Sequence, residues 1–118
     1  MSGLILHITS PDAWDAARAA GKFTADTLES EGFIHCSTPA QVLRVANMLF
    51  SGQHGLILLV IDSLRLASEL RWEPGVDLAS ERFPHIYGPI NLEAVVDVLA
   101  FEPQADGSFV LPSMPDKP

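Results

Sequence analysis

The sequence predicts a single α+β domain with its helices early and most of its strands late, and three observations carry that reading. Apolar residues make up 47% of the 118 residues and charged residues 19%, a composition that folds rather than stays disordered. Two complete helix-start signals, Ser10-Pro11 and Thr38-Pro39-Ala40-Gln41, both fall in the first half. After them come short apolar runs bounded by turn residues, without the strand–helix alternation of a doubly wound sheet. A chain of this length buries roughly two-thirds of its unfolded surface, so one core suffices.

Taken in order, Leu4 to Ile8 reads as a buried strand. Ser10 then caps a helix whose residues Ala13, Trp14 and Ala17 share one face and which stops at Gly21, a residue suited to a left-handed C-cap. Residues 22 to 32 read as loop, and Phe33 to Cys36 as a second strand. Thr38, Pro39 and Gln41 form a capping box for a helix to about Phe50, with Val42, Val45, Ala46 and Leu49 as its core stripe. Leu56 to Asp62 is apolar on both alternating sets, which predicts a central strand covered on both faces.

Asp62-Ser63-Leu64 reads as a turn, Arg71 to Pro74 as the end of a short strand, and Gly75 to Glu81 as a surface loop. The two prolines of Phe83 to Pro89 predict a rigid loop. Ala94 to Phe101 is the next strand, and Asp106-Gly107 suggests a hairpin turn leading into Ser108 to Leu111. The expectation is five or six strands and two main helices in one domain over residues 1–111, with 112–118 as a flexible tail.

Charge narrows the partners. Fifteen acids against seven bases give a net charge of −8, with no basic cluster to neutralise phosphates, which disfavours nucleic acid and anionic membrane surfaces. The longest apolar stretch, Leu56 to Ile61, is far short of the ~20 residues of a spanning helix. Cys36 is the only cysteine, which excludes an intrachain disulfide, and Met1-Ser2-Gly3-Leu4 lacks the features of a signal peptide; the expectation is a cytoplasmic protein.

The candidate site is a set of polar residues on strands. Alternation places His7 with Ile5 and Thr9, opposite Leu4, Leu6 and Ile8, and places Phe33, His35 and Ser37 on one face of the second strand. His85 and Tyr87 sit in the Phe83 to Pro89 segment, where Tyr87 offers a flat face and a hydroxyl for a planar ligand. The plain alternative is that each histidine is an ordinary strand residue holding one hydrogen bond. No metal is expected, because zinc-type spacings are absent. Cys36 points away from His35 and reads as core, and no nucleophile elbow or orienting acid supports Ser37 as a hydrolase serine.

Together His7-Ile8-Thr9 with Trp14, Glu31 to Thr38, Val45-Ala46-Asn47, Arg71 to Pro74 and Phe83 to Pro89 resemble the bacterial domain-of-unknown-function family 952, over about residues 4 to 101. That resemblance implies an ADP-ribosyltransferase-like mixed sheet, and its motif order is similar to that of RNA 2'-phosphotransferases. It implies NAD as cofactor, a small nucleotide as ligand, and chemistry at the nicotinamide–ribose bond. His7 would then hydrogen-bond the ribose, and His35 and Ser37 would line the nicotinamide pocket. Thr9, His85 and Tyr87 would complete the binding set, and His7, His35 and Glu93 the catalytic one.

Glu31 replaces the arginine that phosphotransferases place before their second motif, so recognition of an RNA 2'-phosphate is not implied. Three functions stay open: an NAD-using transferase or glycohydrolase, a non-catalytic nucleotide- or small-ligand-binding module, and a metal-assisted hydrolase built on His7, His35 and His85. Glu93 separates the first two: pointing into the cleft it favours catalysis, and facing solvent at a helix start it favours binding.

Overall fold

In the computed structural model, which describes residues 3–75 and 80–114, both expected helices start where their caps dictate. β1 (Leu4–Thr9) leads into α1 (Pro11–Ala20), where the Ser10 hydroxyl accepts from the Ala13 N–H and Gly21 closes the helix at φ 85°. α3 (Pro39–Leu49) begins with the expected capping box, in which Gln41 Oε1 accepts the Thr38 N–H at 3.0 Å.

The segment expected to be loop between them is more regular. It holds β2 (Lys22–Phe23), α2 (Asp26–Ser30) and, after a turn, β3 (Ile34–His35). β2 is two residues long and exists through its partner β7 (Ile90–Asn91), a pairing that local sequence does not encode. The remaining strands are β4 (Leu56–Asp62), β5 (Glu69–Pro74), β6 (Arg82–Tyr87) and β8 (Val95–Phe101). The fold is thus α+β with three helices and eight strands among the described residues, more than the five or six strands and two helices expected.

The strands form three sheets, ordered β1-β4-β8, β2-β7 and β3-β6-β5, and every pair is antiparallel. The expected mixed sheet is therefore corrected. Among the described strand pairs, only β5 and β6 are joined directly by a short connection, which suits antiparallel neighbours; the other pairs bring together strands far apart in the chain.

β4 is central and buried on both faces, as its doubly apolar pattern predicts. Leu58 and Val60 join Leu6, Val42, Ala46 and Phe101 in a core under α3. Leu59 and Ile61 join Ile5, Ala17, Phe23, Ile34 and Ile86 in a second core under α1 and β3. The α3 stripe splits: Val42 and Ala46 are fully buried, whereas Val45 is half-buried and Leu49 is 56% exposed, because the end of α3 overhangs a cavity rather than the core.

Two further expectations change. Phe83 to Pro89, read as a loop from its prolines, contains the central strand of the third sheet. Asp106-Gly107 does make a tight turn, with Gly107 N–H donating to the Gln104 carbonyl, but Ser108 to Leu111 is not a strand. Instead Phe109 stacks on Phe101 at 4.6 Å, and its N–H is held by Asn47 Oδ1 of α3. Part of the expected Gly75 to Glu81 loop and of the expected tail, residues 76–79 and 115–118, lies outside the described residues. No helix among the described residues is long and apolar enough to cross a membrane.

Candidate functional site

The site exists because one short segment changes partners. His35 pairs with His85 of β6, and the Cys36 N–H still donates to the Pro84 carbonyl at 3.1 Å. Pro84 has no N–H to return, so the ladder loses its reciprocal bond there. The next residue, Ser37, exchanges both backbone bonds with Leu6 of β1, at 2.7 and 2.8 Å. That switch brings the His35 carbonyl and Ser37 beside His7.

His7, His35 and Ser37 now border one cavity of about 330 Å³. Ile8 of β1, Val45, Met48 and Leu49 of α3 and the following Phe50 supply much of its apolar wall. Met48 and Leu49 are 47% and 56% exposed, large apolar side chains standing at the cavity instead of in the core. None of the described residues bordering it is aspartate, glutamate, lysine or arginine.

His7 is fixed from two sides. Its ring meets Phe23 edge-on at 5.2 Å, and its Nδ1 donates to the His35 carbonyl oxygen at 2.6 Å. Burial lowers its pKa to about 4, against the opposing pull of that carbonyl, so the ring is neutral near pH 7. A carbonyl oxygen only accepts, hence Nδ1 carries the proton and Nε2 is a bare acceptor. No described residue bonds Nε2 or the Ser37 hydroxyl, and no buried side-chain nitrogen or oxygen among the described residues is left unpaired. Both atoms therefore reach open space. His35 is held by its own acid, with Nε2 at 2.9 Å from Glu31 Oε1, one helical turn earlier in number but across a tight turn in space.

The other expected site residues go elsewhere. His85 and Tyr87 lie on the outer face of the β3-β6-β5 sheet and do not border the cavity. Phe33 stacks on His85 at 4.2 Å, while His85 Nδ1 and the Tyr87 hydroxyl both bond Glu73 Oε1, at 2.9 and 2.6 Å. These bonds, that of Tyr87 first, hold the Glu73 carboxyl below its usual range, and the same carboxylate pushes the Tyr87 hydroxyl up. The Arg71 guanidinium covers the Tyr87 ring at 4.3 Å, so the flat face expected to stack a ligand already has a partner.

Thr9 ends β1 half-buried and does not border the cavity. Glu93 is exposed in the 3₁₀ turn Leu92–Ala94, its only described bond being from Asn91 Nδ2 at 3.4 Å, and it too stands apart from the cavity. Cys36 is buried and burial pushes its thiol up, in keeping with a core residue. Among the described residues no three histidine, cysteine, aspartate or glutamate side chains gather as a metal set.

Glu73 and the cavity wall of Met48 and Phe50 are not picked out as site residues by the sequence, and Glu31 is noted there only as the replacement of an arginine. Glu31 carried a signal, being an acid four residues before His35 across a glycine. Glu73 alternates with Arg71 on one strand face, yet only the pairing of β5 with β6 puts that face beside His85.

A model of the family described as protein of unknown function (DUF952) matches residues 8–98. Among solved structures, the chain is similar to the crystal structure of protein CC0527 from Caulobacter crescentus, at 37% identity and a TM-score of 0.80, covering 92% of this chain and 94% of that one. It is also similar to the solution NMR structure of the same Caulobacter protein, at 37% identity and a TM-score of 0.76, covering 89% of this chain and 90% of that one. No curated protein matches.

Proposed function

The chain belongs to the DUF952 family, and on that footing we propose that it is a small-ligand-binding domain whose cleft takes a compact nucleotide fragment or another planar molecule without transforming it. The observation that carries this reading is the convergence of His7, His35 and Ser37 on one cavity from which Glu93 is absent. A volume of about 330 Å³ is at the lower end of the range for small-molecule sites. The walls are apolar and the polar atoms few, the usual division between affinity and orientation in such sites.

NAD as a whole fits this cleft poorly. A nicotinamide–ribose end suits the polar floor, but a pyrophosphate finds no lysine or arginine among the described bordering residues. The kinship with ADP-ribosyltransferases, and with it NAD-dependent chemistry, is a second reading, favoured by the placing of the two histidines and the serine of the resembling motifs on one floor. Metal-assisted hydrolysis by His7, His35 and His85 has less support, since His85 is turned to the outer face and bonded to Glu73.

Thermal-shift measurements across nicotinamide, nucleosides, ADP-ribose and NAD test the proposal. A ligand at 100 times its dissociation constant adds about 2.7 kcal/mol to stability. Stabilisation by a compact member, with no free nicotinamide released from NAD on long incubation, is the expected result. Steady release of nicotinamide, abolished in His35→Ala, would replace binding by catalysis.

A further inference from the structure

Resting on the reading of this cleft as a ligand site, we propose that its occupant is a neutral, largely apolar molecule that offers one N–H or O–H donor to His7 Nε2. Three features of the cavity lead there. The first is the acceptor. The His35 carbonyl takes the proton-bearing Nδ1 of His7 at 2.6 Å, which leaves Nε2 with a lone pair and no proton. A second acceptor placed against it would be repelled, and a donor would be held.

The second is the rest of the polar floor. The Ser37 hydroxyl has no described partner and can turn to give or to accept, so it adds binding without choosing between the two. Selection between donor and acceptor thus falls on His7, whose ring is pinned by Phe23 and by the backbone of β3.

The third is charge. With no aspartate, glutamate, lysine or arginine among the described residues at the cavity, an anion or a cation entering it would lose water and gain no counter-charge from them. Val45, Leu49 and Phe50 instead offer apolar contact along the wall. Protonation of His7 would reverse the rule, but burial keeps that proton off at neutral pH.

Three naphthalenes of nearly equal shape test this on the full chain: 2-naphthol, its methyl ether 2-methoxynaphthalene, and 2-naphthoate, titrated by calorimetry or by their own fluorescence at pH 7. Naphthol is expected to bind, the ether about tenfold more weakly for want of its donor, and the anion more weakly still. In His7→Phe the naphthol and the ether should bind alike. The ranking on the unaltered protein decides the point even if that variant does not fold. An ether that binds as well as naphthol overturns the donor rule, and a naphthoate that binds best overturns the neutral one, each leaving the cleft as a ligand site. Binding of none of the three, or binding that leaves the signals of His7 and Ser37 unmoved in NMR spectra, overturns the cleft reading together with this inference.

Discussion

Two polar clusters flank β3, and they do opposite things with similar residues. On the outer sheet face, His85, Tyr87, Arg71 and Phe33 are satisfied by one another and by Glu73. At the cavity, His7 and Ser37 each keep a polar atom that no described residue engages. A histidine beside aromatics is thus no guide to a site by itself. What distinguishes the cavity is polar capacity left over once the protein's own hydrogen bonds are counted.

The sharpest way to break that comparison is to titrate it. His7 has a folded pKa of about 4, below the value of 6.5 for the free side chain, so the unfolded chain binds more protons between those values. Stability contributed by keeping His7 neutral is present above pH 6.5 and is lost as pH falls towards 4, by up to on the order of 3 kcal/mol. The carboxylates held low, Glu73 among them, lose their contribution at lower pH, below their ordinary value of 4.5. Denaturation of the unaltered protein and of His7→Phe from pH 7 to 4.5 should show the variant as the flatter curve. Parallel curves would mean that His7 is no less able to take a proton than a free histidine.

Next in size is the outer face. Glu73→Leu removes the one acceptor shared by His85 and Tyr87 and strands a buried imidazole nitrogen, at a cost of about 1–3 kcal/mol in stability. Ligand affinity in the cavity should not move. A variant that loses affinity while keeping its stability would show that the two clusters are coupled, through His35, whose ring lies 4.7 Å from Phe33 and 5.3 Å from His85 while also bordering the cavity.

These contrasts mark what was legible in the sequence. Caps and periodicity are local, so α1, α3 and the double-sided β4 could be read from Ser10, Thr38 and the run from Leu56 to Asp62. Alternation groups His35 with Ser37, but their meeting with His7 depends on Ser37 leaving β6 for Leu6 of β1, which no local pattern encodes. Phe83 to Pro89 misled because a proline in a central strand is rare; here Pro84 falls where the ladder ends, so its missing N–H breaks only one bond. The partners of His85 and Tyr87 depend on the register of β5 against β6, Glu73 opposite Phe83, which lies beyond any local signal. A helical stripe says which residues face inward, but not whether core or cavity waits there.

That last ambiguity gives a smaller, cleaner test. Val42 is fully buried under α3, and Val42→Ala should cost on the order of 1–3 kcal/mol. Val45, on the same helix and half-buried at the cavity, should cost less when shortened and should weaken binding of an apolar ligand more. Paired denaturation and titration of the two variants measure both effects. Equal losses of stability would place Val45 in the core and remove it from the wall.

The smallest effect concerns the residue between the two clusters. Cys36 adjoins His35 and Ser37, yet alternation turns its side chain into the core with Ile34 and Ile86. Burial both hides the sulfur and raises its pKa, and the thiolate is the reactive form, so both factors slow modification. The cavity beside it is a route by which a reagent could arrive without unfolding the chain. If access instead needs a local opening costing about 3 kcal/mol, labelling by a disulfide reagent should be on the order of a hundredfold slower than in denaturant. A cavity ligand should then change that rate little, because the opening and not the cavity limits it. Fast labelling of the folded protein, suppressed by a cavity ligand, would show that the sulfur faces the ligand, and the division between a committed core face and an open polar one would have to be redrawn at Cys36.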